Sequence, residues 1–180
     1  MASDRLTPFS YAVLALVGRG GAGAHDIVRM MRVGRPYWAT SPSHYYAEPK
    51  RLAELGYLAA EKTPGQTRER THYTLTPKGE EALRAWLREP TGFPRIQSEA
   101  VVRVMAGDFS TDEELVASLT AMRAELDELE AGIAEGERLA ATLPHRERYL
   151  RLVHRLGRRQ LEAYRDWLDE VERELSGAAD

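Results

Sequence analysis

The chain has 180 residues, 43% of them hydrophobic and 29% charged, with a formal net charge of -3. That length suits one compact domain or two small ones, and the composition excludes a disordered chain. The absence of cysteine excludes disulfides and thiolate metal sites, as suits a reducing cytoplasm.

No apolar run approaches the roughly 20 residues that span a bilayer. Nor does an apolar export core follow Met1-Ala2-Ser3-Asp4-Arg5, so no membrane partner and a cytoplasmic location are expected. The charge is unevenly divided. Residues 1–88 carry 13 Lys/Arg against 8 Asp/Glu, and residues 89–180 carry 12 against 20. A basic half and an acidic half point to one polyanion-facing module joined to a second with another task.

Leu6-Thr7-Pro8 opens the first predicted helix, which runs to about Gly18. Threonine is a good N-cap, and proline at the next position loses no intrahelical bond. Leu6 and Tyr11 stand at staple spacing. Phe9, Val13, Leu14, Leu16 and Val17 make this helix apolar nearly all round, so it is expected to be buried. The glycine-rich stretch 18–23 lacks the Gly-Lys-Ser/Thr of a phosphate cradle and reads as a turn. A short helix from Ala24 to about Met31 follows.

Ser41-Pro42 repeats the cap-then-proline start for a helix expected to reach Leu55, before Gly56. Pro49 lies inside it. There it removes the bond to the Tyr45 carbonyl at roughly 3 kcal/mol or more, which leaves open a kink or a helix broken in two. Two short runs, 57–62 and 70–75, flank a Pro-Gly turn and read as a β-hairpin. Leu75-Thr76-Pro77 then repeats the opening tripeptide and launches a helix to Arg88, expected to bury Ala82, Leu83, Trp86 and Leu87.

Pro90, Gly92 and Pro94 mark a linker at the charge boundary, dividing the chain into domains at 1–90 and 95–176. A helix is expected over about 96–106. Thr111 and Glu114 have capping-box spacing for a long helix reaching Leu143. Along it Leu115, Leu119, Met122, Leu126, Leu129 and Ile133 alternate at four and three, a seam of nearly three heptads. The last helix, Glu147 to Leu175, repeats that spacing in Leu161, Tyr164, Leu168, Val171 and Leu175. Such seams imply a helical hairpin or a dimer. The basic run from His145 to Arg159 either pairs with Glu125, Asp127, Glu128 and Glu130 or binds an anionic effector or a second DNA segment.

The opening Leu-Thr-Pro helix, Tyr45-Tyr46 to Leu52, Gly56-Tyr57-Leu58, and the strand from Arg70 into Thr-Pro-Lys-Gly together resemble the PadR family of transcriptional regulators. The acidic helices after the linker resemble that family's longer, virulence-activator-like C-terminal region. The resemblance implies a mainly α fold with a small β-hairpin: a winged helix-turn-helix domain followed by a long-helix dimerisation region. It makes Ser41–Leu55 the recognition helix and Lys62–Arg70 the wing, and implies a homodimer through residues 95–176 whose helices swap across the twofold. Pro49 departs from the family pattern, which usually has an aliphatic residue there.

On this reading Ser43, His44, Tyr45 and Tyr46 approach base edges, with a core role as the alternative for Tyr45, and Lys50 and Arg51 contact phosphates. Lys62, Arg68 and Arg70 of the wing meet a groove or backbone, and Gln66 and Thr67 reach the minor groove. The expected partner is double-stranded DNA bearing a palindrome, with half-sites roughly 34–36 Å apart or a multiple of it. A small-molecule effector is expected to release a repressor, with Trp38, Trp86 and Trp167 as candidates for its pocket and core packing as their alternative role. No enzyme, cofactor or metal site is expected: there is no nucleophile elbow and no H-E-x-x-H, and the five histidines are scattered. The competing readings are a winged-helix protein–protein adaptor and a MarR-type regulator, the latter disfavoured by the short lead before the first helix.

Overall fold

Both threonine–proline starts act as their chemistry dictates in the computed structural model, which describes residues 5–33, 37, 41–63 and 70–177. Helix α1 (Pro8–Val17) is capped by Thr7. The Ser10 amide donates to Thr7 Oγ1 at 3.2 Å, and the Thr7 amide donates to Ser10 Oγ at 2.9 Å. Two orphan amides are satisfied reciprocally, with serine where a capping box usually has Glu or Gln.

Three further helices and a small sheet complete the first of two units, Met1–Gly92. In chain order they are β1 (Ala22–Gly23), α2 (Ala24–Val33), α3 (Pro42–Glu54), β2 (Leu58–Thr63), β3 (Arg70–Leu75) and α4 (Pro77–Trp86). The hairpin forms as predicted, with Leu58 opposite Leu75 and Lys62 opposite Thr71. Strand β1 is the correction. Part of the expected glycine turn pairs antiparallel with β3, Ala22 opposite Tyr73, giving the order β1-β3-β2. Gly21, at φ +70°, explains how the chain comes so close: a Cβ there would collide with the His72 ring and lie 2.9 Å from the Tyr73 carbonyl.

Helix α3 is continuous through Pro49, which is fully buried, so neither a break nor two helices results. Ser41 makes no side-chain cap; its Oγ lies 2.9 Å from that of Ser43. The core gathers Val13, Leu14 and Val17 of α1 with Ile27, Val28 and Met31 of α2, Tyr45 and Leu52 of α3, and Leu58 and Tyr73 of the sheet. Trp86 stacks on Tyr11, ring centroids 4.6 Å apart, tying α4 to α1. Leu87, expected inside, is exposed, because α4 ends at Trp86 and Leu87 is its C-cap.

The start of α4 also finishes α3. Thr76 Oγ1 donates to the Gly56 carbonyl and Lys78 Nζ to the Leu55 carbonyl, each at 2.7 Å. A cation at that helix end also offsets the negative end of the helix dipole.

The second unit, Phe93–Asp180, holds α5 (Glu99–Met105), a 3-10 turn (Gly107–Phe109), α6 (Asp112–Ala141) and α7 (Glu147–Ser176). Helix α5 is shorter than the predicted span, because Ser98 caps it. The Thr111–Glu114 capping box forms in full. Leu115, Leu119, Leu126 and Ile133 meet Leu161 and Leu168 in a second core, with Met122, Leu129, Tyr164, Trp167, Val171 and Leu175 packed against it. Arg123 bonds Asp169 at 2.7 Å, Arg165 bonds Asp127 at 2.8 Å and Arg158 bonds Glu137 at 2.7 Å. Partner numbers fall on one helix as they rise on the other, so α6 and α7 run antiparallel. Of the acidic residues expected to meet the basic run, Glu130 pairs with its Arg158 at 3.1 Å.

Candidate nucleic-acid interface

Helical periodicity divides α3 into two faces. Tyr45, Pro49 and Leu52 point inward and are buried, with Glu48 beside them half-buried. Ser43, Tyr46, Ala47 and Lys50 follow one another at three, one and three residues along the opposite face, and all are exposed, as is His44. Tyr46 leaves 52% of its surface open, whereas Tyr45 leaves 5% and packs near the Phe9 ring at 6.1 Å. The two adjacent tyrosines therefore have different environments: Tyr45 is core, and Tyr46 stands outward with Ser43 and Lys50. Lys50 lies 3.8 Å from Glu54, an exposed pair of small worth.

Arg51 is placed otherwise than the phosphate expectation had it. Its Nε and Nη2 donate to the two oxygens of Glu48 at 2.9 and 2.7 Å, and Nη2 also reaches Ser10 Oγ at 3.1 Å. Burial alone would raise the Glu48 carboxyl's pKa. Hydrogen bonds from Arg51 and Ser10, with the charges of Arg51 and His44, outweigh that and hold it below the usual range. Glu48 and Ser10 were missed in the sequence, although the i, i+3 spacing of Glu48 and Arg51 was a readable signal.

The hairpin brings two basic residues to its outer end. Lys62 and Arg70 are exposed, one residue apart in register, since Thr63 lies opposite Arg70. Gln66, Thr67 and Arg68 of the connecting segment lie outside the described residues, as does Trp38. Trp86 is engaged by Tyr11 in the first unit, and Trp167 by the α6–α7 seam in the second. Among the described residues no group of three or more His, Asp or Glu could hold a metal ion, and no helix is long and apolar enough to cross a membrane.

Three helices with a β-hairpin wing define a winged helix-turn-helix unit, and the second unit is a long antiparallel helical hairpin. Residues 96–176 match the virulence activator alpha C-terminal family. The chain as a whole carries the fold of the PadR-like regulators. Bacillus subtilis PadR in complex with operator DNA superposes with a TM-score of 0.74 at 19% identity, covering 94% of this chain and 99% of that one. The Vibrio cholerae virulence activator AphA gives 0.68 at 25% identity, with coverage of 94% and 99%. A PadR-like transcriptional regulator from Bacillus cereus gives 0.74 at 16%, with coverage of 96% and 100%. No curated protein matches the chain.

Proposed function

We propose that this protein is a homodimeric, sequence-specific DNA-binding transcriptional regulator, a repressor that a small-molecule effector releases. The observation that carries the reading is the outward stripe of α3, Ser43, His44, Tyr46 and Lys50, in the same unit as a basic hairpin. The fold supports it, because Bacillus subtilis PadR with this fold was captured on operator DNA.

A major groove admits one helix, and residues near its N-terminus reach base edges. Ser43, His44 and Tyr46 then contact bases while Lys50 binds phosphate. Lys62 and Arg70, with Arg68, Gln66 and Thr67, serve the wing. Phosphate repels the acidic second half, which favours approach by the winged unit.

Two exposed stripes support pairing through residues 95–176. On α7, Tyr149, Leu152, Val153 and Leu156 lie at three, one and three residues and stand exposed. Arg148, Arg151, Arg155 and Arg159 flank them. Val101, Val102 and Met105 of α5, with Phe109 beyond it, are also exposed, among Asp108, Asp112 and Glu113 and the paired Glu99 and Arg103. Exposed apolar stripes, one bordered mainly by arginines and the other mainly by carboxylates, suit a contact between two copies, and the twofold so made matches a palindrome. That Bacillus subtilis PadR was also captured with p-coumaric acid supports an effector, for which Trp38, Trp86 and Trp167 are the apolar candidates. It acts only if its affinity differs between the free and DNA-bound arrangements.

The test is a gel-shift titration across salt concentrations with a duplex selected by the protein from a random pool. Binding should weaken with a slope of about -0.9 per phosphate contact in log–log form, and Arg68→Ala with Arg70→Ala should make it shallower. No retardation of any duplex at low salt would leave the adaptor reading in its place.

A further inference from the structure

The side chains on the inner side of α3 include a charged pair where apolar packing would suffice. Arg51 and Glu48 keep only 22% and 14% of their side-chain surface open, yet both are ionisable. They do not stand alone. The Ser10 hydroxyl, wholly buried, donates to Glu48, receives Arg51 Nη2 and receives the Thr7 amide, while lying 3.1 Å from Thr7 Oγ1. One network therefore runs from the N-cap of α1, through a buried hydroxyl, to the middle of α3.

We infer that Arg51 and Glu48 form a latch that sets the angle of α3 on α1, and that Arg51 is a positioning residue rather than a phosphate contact. This rests on the DNA-binding reading and goes beyond it. A planar guanidinium gripping a carboxylate with two parallel bonds fixes direction as well as distance. The hydrophobic contact across the same helices is non-directional and carries no such bond geometry. The bond to Ser10 then transmits that direction to α1, where the capping box immobilises the serine. Ser43, Tyr46 and Lys50 are presented at the angle the latch dictates. Neighbouring Lys50, one position away, faces outward and carries the phosphate role that Arg51 leaves.

Salt dependence separates the two roles. A duplex selected by the protein from a random pool, and a random duplex of equal length, are titrated with the full chain at several salt concentrations. Arg51→Gln should lose about tenfold or more on the selected duplex and much less on the random one, with an unchanged salt slope. Lys50→Gln, as the contrast, should make the slope shallower by about 0.9 on both. Glu48→Gln with Arg51→Gln should recover most of the loss, because neither charge is then left half-buried without its partner.

A slope shallower by about 0.9 in Arg51→Gln, with no recovery in the double variant, would overturn the latch and restore the phosphate contact. An equal loss on both duplexes at unchanged slope would overturn it too, since mere loss of folded protein does that. If Arg51→Gln does not fold, Arg51→Lys replaces it. A latch loses discrimination there because the fork is gone, whereas a phosphate contact keeps affinity and slope. Failure of the wild-type chain to bind either duplex would instead remove the DNA-binding reading itself.

Discussion

Pro49 sits at the centre of α3 with its ring fully buried, in a position that cannot donate to the Tyr45 carbonyl. Relative to alanine, proline in a helix interior costs about 3 kcal/mol. Against that, each of the two buried ring carbons lost on going to alanine costs about 0.8 kcal/mol. The backbone effect is the larger. Pro49→Ala should therefore raise the stability of the winged unit by about 1 kcal/mol, read as a higher midpoint in urea; a lower midpoint would show that ring packing dominates. The proline was visible in the sequence, but the continuity of the helix was not. Surrounding packing from Tyr45 and Leu52 holds the backbone helical where propensity alone predicts a break. Tyr45 and Tyr46 teach the same lesson: adjacent identical residues acquired different surroundings, one core and one surface, from the phase of α3 against α1.

At the scale of elements, the α6–α7 hairpin has one polar group out of keeping with its seam. His154 Nδ1 is buried without a hydrogen-bond partner among the described residues. Its ring lies over Gly136, where a Cβ would stand 2.9 Å from Nε2. Burial lowers its pKa; Glu137 opposes this and Arg158 adds to it. The neutral ring is thus favoured in the fold. The stabilisation is complete above the ordinary value of about 6.5 and is lost as pH falls from there through the folded-state value, because the unfolded chain binds the proton more readily. The hairpin should melt at a lower temperature near pH 5.5 than near pH 7.5, and His154→Phe should remove part of that difference. An identical pH dependence in the variant would assign it to other groups. The seams were legible, since leucines at four and three must be buried against another such helix, but that the partner helix lies in the same chain was not. Strand β1 was not. A strand of two residues has no periodicity, and it exists because Gly21 lets the chain approach β3.

For the whole molecule, the two units each have a core of their own, Val13 to Tyr73 in one and Leu115 to Leu168 in the other. If pairing belongs to the second, residues 93–177 alone should sediment as a dimer at micromolar concentration and residues 5–92 as a monomer. A monomeric 93–177 would move the self-association elsewhere or abolish it. Such a dimer would raise DNA affinity, because two modest half-site contacts joined in one assembly act together at high effective concentration.

Chemistry between near neighbours was written in the chain: the threonine caps, the strand runs and the heptad seams each depend on residues a few positions apart. Hydrogen-bond geometry and side-chain period make such features local, so reading them needed no coordinates. Tertiary packing decided the rest. It turned Arg51 toward Glu48 and Ser10, 41 positions earlier in the chain, sank Tyr45 and kept α3 whole across Pro49. Those outcomes follow from which face of one helix meets another, and no local rule carries that information.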